Sequence, residues 1–222
     1  GSSKQMFPVS MMGAIALLRQ THMDAEWYKA TNPYTDLTLD SWIEQQALPQ
    51  IFEANDKLTS LKMDKVGDEF GVQYIIKGGG DEYQRINEIK ATSAPFIIPV
   101  NFPAAPDIAD PIDALDVSLA DLKHWELAPT NPGKLASNNI KFAFTLSGLK
   151  SKADFLKNVR TALKHNLTEE QALEALTVTP AKLLRVDDKV GSLNNGKLAN
   201  FLVTSGNLFD DNTKIYENWV QG

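Results

Sequence analysis

Glu53 and Lys77 are the side chains best placed to do chemistry. Each closes a short apolar run, QIFEAND and VQYIIK, so on neighbouring parallel strands both would stand at the same end of a sheet. A carboxylate there can ligate a metal ion or take a proton; beside an ammonium it makes an ion pair, and the matched strand ends lead us to expect that pair. Gly78-Gly79-Gly80 follows at once. Ahead of a helix, such amides can cradle a phosphate, but Asp81 in the cap position would repel an anion, and turn flexibility is the simpler reading. Imidazoles are scarce: His22, His124 and His165 all fall in helical stretches, no His-x-His occurs, and each reads as a packing or surface residue. The absence of cysteine removes thiolate ligands, thiol nucleophiles and disulfides. Trp42, Trp125 and Trp219 read as packing residues rather than a stacking platform.

Strand ends need strands. Four short apolar runs, at about 50–54, 72–77, 96–100 and 140–145, alternate with helical stretches, the pattern of βα units on a parallel sheet. Ser10 can cap a helix from Met11 to Lys29 whose Ala14, Leu17, Leu18, Thr21, Ala25 and Tyr28 would share a buried face. Asn32 to Asp36 reads as a loop, and Asp40 as the cap of a second helix ending before Pro49. A helix over Leu58–Phe70 stops at Gly71, and Asp81 is expected to cap the next, from Glu82 to Ala91. Asn101 to Pro111 is a proline-rich loop of a length often tied to function. Ser118 can cap SLADLKHWEL, a short helical piece is expected near Leu135, and another helix runs from Ala153 to His165.

The densest signals lie in LTEEQALEALTVTPAKLLRVDDKVGSLNNGKLANFLV, from Leu167 to Val203. Thr168 and Gln171 have capping-box spacing, and Pro180 suits the first turn of a second short helix. Asn195-Gly196 marks a tight turn before a strand from Leu198 to Val203, read as buried. The tail TKIYENWVQG alternates well enough to pair with it.

That order of elements and residues resembles the C-terminal signature of metal-dependent amidohydrolases, notably the imidazolonepropionase-like branch. The resemblance implies an α/β fold: part of a (β/α)8 TIM barrel, with its C-terminal strands and helices, plus a remnant of a small β domain. We expect the boundary between residues 4–188 and 189–222. It also implies chemistry at the C-terminal strand ends, where zinc or another divalent metal is held by histidines, a carboxylate and a last-strand aspartate. A metal ion bound in that way lowers the pKa of its water to about 7. In this sequence Glu53 stands where one ligand histidine would be, Lys77 or Gly78 where some members place another, and Ser147 where the aspartate would be. These positions predict no metal and no cofactor in the chain, with the Glu53–Lys77 pair in place of the metal's charge.

The expectation is thus an amidohydrolase-like domain, of a type that acts on non-peptide C–N bonds, with a degenerate catalytic centre. One alternative is an active enzyme whose metal site is completed by an N-terminal half; the other is a non-catalytic binding or assembly module. Four parallel strands are half of the eight that a closed barrel of about 250 residues needs, and the opening KQMFPVS reads as mid-domain, so a piece of a longer protein is expected. Expected partners are an N-terminal half, a partner amidohydrolase domain or a second copy of the chain. A net charge of −6 offers no basic stripe for nucleic acid, and no apolar run reaches the roughly 20 residues that span a bilayer. Compartment is open, with export implied by the resemblance alone.

Overall fold

The structure, a computed structural model, describes residues 8–31 and 34–222; Asn32 and Pro33, read above as loop, and the opening residues 1–7 lie outside that range. Its centre is a four-stranded parallel sheet in the order β1 (Ile51–Glu53), β2 (Ile75–Lys77), β3 (Phe96–Pro99) and β4 (Phe142–Thr145). Parallel strands covered on both faces carry continuous apolar runs. Ile76, Phe96, Ile98 and Val100 accordingly have no exposed surface. They pack with Ile89, Leu135, Val159, Ala162 and Ala172 in one core. The expected strands are borne out and the sheet is TIM-barrel-like, with four strands rather than a closed ring.

The connecting helices follow local capping chemistry. Helix α1 (Met11–Thr31) begins at Ser10, whose Oγ accepts from the Gly13 amide. Only its second half is buried, through His22, Ala25 and Tyr28; Leu17 and Ala14, expected on a buried face, are exposed. Helix α2 (Leu37–Gln45) is capped by Asp36, which accepts from the amides of Thr38 and Leu39, and not by Asp40. Asp36 is the better cap because its extended backbone aims the carboxylate back at those amides. Helix α3 (Lys57–Phe70) starts at Asp56 and ends on Gly71, whose φ of 68° is the left-handed conformation glycine adopts without strain.

After β2 a single 3₁₀ turn, Glu82–Arg85, leads into α4 (Ile86–Ala91). The proline-rich loop after β3 runs as expected to Pro111, where a helix not expected from the sequence begins, α5 (Pro111–Asp116), followed by α6 (Leu119–Leu127), capped by Ser118. Then come α7 (Asn131–Ser137), β4 and α8 (Asp154–Leu163). Helix α9 (Glu169–Leu176) carries the full capping box between Thr168 and Gln171, and α10 (Val178–Leu183) starts two residues before Pro180.

The chain finishes in an antiparallel ribbon, β5 (Phe201–Thr204) with β6 (Ile215–Trp219). The pairing is as expected, but β5 is not buried: Leu202 and Val203 are exposed, because nothing among the described residues covers the ribbon's faces. The loop between the two strands is tied to the barrel part, where Arg160 Nε donates to the Phe209 carbonyl at 2.9 Å and Phe209 enters the core. No helix among the described residues is long and apolar enough to cross a membrane.

Candidate functional site

In parallel β sheets wrapped by helices, reactive groups gather at the C-terminal strand ends, while the opposite end serves stability. The pairing of β1 with β2 sets Glu53 directly beside Lys77 in register. The Lys77 ammonium donates to Glu53 Oε1 at 2.7 Å. The Glu53 side chain is 64% exposed and that of Lys77 27% exposed, so water screens the pair, which contributes no more than about 1 kcal/mol. What matters is position: the ammonium occupies the face of the carboxylate that a cation would use.

The glycine run is held by groups that sequence reading did not single out. Glu82 is fully buried. Its Oε1 accepts from the Gly80 amide at 3.1 Å and its Oε2 from Asn131 Nδ2 at 2.6 Å, while Asn131 Oδ1 takes the Tyr83 amide at 2.8 Å. Burial pushes the Glu82 carboxyl above its ordinary range, against the pull of these donors. A Cβ on Gly78 would overlap the Glu82 carboxylate, and one on Gly79 would strike the Asn55 backbone. Gly78 and Gly79 are therefore glycine for close approach, and the Gly78 and Gly80 amides are taken by the Ile97 carbonyl and by Glu82 rather than left for a phosphate.

Asp81 makes no side-chain cap to its own helical turn, contrary to expectation. It caps the neighbouring helix instead. Its Oδ1 accepts from the Lys57 amide at 2.8 Å, the first residue of α3, and its Oδ2 pairs with Lys57 Nζ at 2.9 Å. The loops after β1 and β2 are thereby locked together immediately behind Glu53 and Lys77.

Ser147 follows β4, with its amide donating to Thr145 Oγ1 at 3.2 Å. It lies at the C-terminal end of the sheet like the other two positions, but β2 and β3 stand between it and Glu53. Next to it Gly148, at φ 78°, packs against the Asn101 carboxamide. Glu53 and Lys77 thus meet, and Ser147 stays apart.

The histidines sit on helices or just beyond one, as expected. His22 is buried, stacked on Phe70 with centroids 4.4 Å apart and edge-on to Trp42 at 5.2 Å; burial holds its pKa below the usual imidazole value, against the pull of Glu26. His124 Nδ1 lies 3.1 Å from the Tyr83 hydroxyl, and His165 is half-buried beyond the end of α8. Trp42 is partly buried as expected of a packing residue; Trp125 and Trp219 remain exposed, the latter stacked on Phe201.

A divalent ion held as the resemblance implies would need a converging set of imidazoles and carboxylates. Among the described residues no three His, Cys, Asp or Glu side chains converge. At the strand ends the available donors are one carboxylate already engaged by an ammonium and one serine hydroxyl. That set does not fit the ion. A cavity of about 590 Å³ does exist, lined by His22, Trp42, Gln50, Gln73, Lys182 and Arg185. It lies at the other end of the sheet, where β1 and β2 begin, away from the Glu53–Lys77 pair.

The open four-stranded parallel sheet with its connecting helices is that of part of a TIM-barrel-like fold. The sequence model of the amidohydrolase family matches residues 131–222, from α7 through β4 to the terminal ribbon, so the likeness to metal-dependent amidohydrolases holds in that part of the chain. An amidohydrolase from Thermotoga maritima MSB8 superposes on 97% of the chain with a TM-score of 0.75 at 21% identity, and the chain covers 56% of it. A prolidase complexed with N-methylphosphonate-L-proline matches over 78% of the chain (TM-score 0.54, 14% identity, 43% of that protein). A Xaa-Pro dipeptidase with methionine bound in its active site matches over 78% as well (TM-score 0.52, 19% identity, 43% of that protein). The chain therefore spans about half the length of these proteins, and at such identities the likeness shows the fold. No curated protein matches the chain.

Proposed function

We propose that this chain is an amidohydrolase-type half-barrel, of the imidazolonepropionase-like branch, that serves as a binding and assembly module and whose own residues do not form a hydrolytic centre. The observation that carries this reading is the ion pair at the strand ends. Glu53, in the place of a ligand histidine, is taken by Lys77 at 2.7 Å, and Ser147 offers a hydroxyl where the last-strand aspartate would accept a proton. A hydroxyl with an ordinary pKa cannot serve as a general base near neutral pH. The division at 189, with the ribbon as part of a composite β domain, belongs to the same reading.

Incubating the purified, untagged chain with zinc, dialysing it, and assaying hydrolysis of cyclic amides and ureides tests this proposal. We expect neither turnover nor retained metal; metal-dependent turnover by the 222 residues alone would overturn it.

A second reading is favoured by the sheet itself. Among the described residues neither the outer edge of β1 nor that of β4 is paired, and the chain covers 56% of the Thermotoga amidohydrolase. In this reading a further set of strands closes the barrel and brings the metal ligands, and the longer protein would hydrolyse C–N bonds. Metal bound by that longer protein but not by this chain would favour it.

A further inference from the structure

Between β3 and α7 the chain leaves the core and displays a row of large apolar side chains to solvent. Ile108, Ile112, Leu115, Leu119, Leu122 and Trp125 are all exposed, Leu115 by 84% and Ile112 by 72%. From Ile108, just ahead of α5, they recur at intervals of three or four residues through α5 and α6, and among the described side chains neither helix buries a residue. Singly exposed apolar residues need no explanation, but a cluster of this kind marks an interaction surface.

The charge around the row is one-sided. Residues 107–127 hold six acidic residues against Lys123 alone, and so account for most of the chain's net charge of −6. Asp107, Asp110, Asp116 and Asp121 are exposed, and none of them is in an ion pair among the described residues. Two copies of this chain would set acid against acid there, and nucleic acid or an anionic bilayer would be repelled in the same way.

We infer that the α5–α6 surface docks a basic, amphipathic segment of a partner polypeptide, its leucine-like side chains on the apolar row and its lysines or arginines on the aspartates. The arm springs from the C-terminal end of β3, so a docked partner sits at the same end of the sheet as Glu53 and Lys77. The inference rests on the reading of the chain as an assembly module and names the surface that assembly uses.

The test is calorimetric titration of the full chain, in the presence of a metal chelator, with a synthetic leucine–lysine amphipathic helix and with its leucine–glutamate counterpart. The leucine–lysine peptide should bind and the leucine–glutamate peptide should not. Affinity should fall at least about tenfold in Leu115→Ser/Leu119→Ser and in Asp116→Lys/Glu126→Lys, whose acidic side chains hold no hydrogen bond of the fold among the described residues. It should hold in Asp187→Lys/Asp188→Lys, which reverses exposed charge elsewhere. Because the altered side chains are solvent-exposed, urea midpoints should stay unchanged, which separates lost binding from lost folding. No binding, equal binding by the reversed-charge variant, or sedimentation showing self-association that Leu115→Ser/Leu119→Ser abolishes would overturn the inference. Retained zinc would overturn the scaffold reading and leave this surface standing; lost peptide specificity would do the reverse.

Discussion

Asn131 donates to the fully buried carboxylate of Glu82 at 2.6 Å while its own carbonyl holds the Tyr83 amide. This contact ties the first turn of α7 to the loop that ends β2. Both Glu82 oxygens accept hydrogen bonds, one from Gly80 and one from Asn131. A glutamine has only one accepting oxygen, so Glu82→Gln turns an amide N–H₂ toward a donor. We predict a loss of about 1–3 kcal/mol in urea unfolding, with Asn131→Ala at least as damaging because it leaves Glu82 Oε2 and the Tyr83 amide without partners while Gly80 still holds Oε1. Unchanged midpoints in both variants would contradict the network.

Asp64, buried on α3, has its carboxyl pushed up to about 6, chiefly by burial and further by Asp68, with the Gln73 side chain pulling the other way. A carboxyl raised in the folded state favours folding when protonated. Its stabilising contribution is present below the unfolded value near 4 and is lost as pH rises through about 6. Asp64→Asn should therefore be more stable than the parent at about pH 8, by on the order of 2–3 kcal/mol, and the gap should close by about pH 4. His22 acts oppositely, since a ring kept neutral by burial costs stability as pH falls through 6.5, but it is common to both proteins and cancels from the difference. A gap that is independent of pH would refute the assignment.

Asp81 caps α3 across the loop boundary and pairs with Lys57, with both side chains largely shielded from water. Asp81→Ala should cost about 1–2 kcal/mol, as loss of a helix cap does. Asp81→Asn keeps the acceptor for the Lys57 amide and should recover part of that. Equal losses in the two variants would assign the whole effect to the ion pair.

The exposed Glu53–Lys77 pair is a different case. Lys77→Met should lower the unfolding free energy from urea titration by less than about 1 kcal/mol, and high salt should erase the difference. A larger, salt-resistant loss would mean that the pair holds the sheet rather than occupying a site.

Several of these features were legible in the sequence and others were not, for physical reasons. The four strands show because parallel, doubly covered strands demand unbroken apolar runs such as YIIK and PFIIPV. The Thr168–Gln171 box and the Gly71 stop show because caps are local. The Glu53–Lys77 pair was visible once both runs were placed in register. Glu82 was not, since its burial depends on Asn131 arriving from 49 positions away. Asp81 was misread because its short distance to Glu82 suggested a local cap, whereas the parallel pairing of β1 and β2 delivers it to α3. The apolar periodicity of α1 and of β5 was real, but periodicity does not say whether a partner surface exists to cover it.

At the strand ends the Lys77 ammonium stands where a metal ion would compete for Glu53. Calorimetric titration of zinc into the untagged chain at neutral pH, checked by metal analysis after dialysis, decides between the two. We predict no saturable site at molar stoichiometry, in the parent and in Glu53→Gln alike. One or two ions retained per chain, and lost in Glu53→Gln, would contradict it.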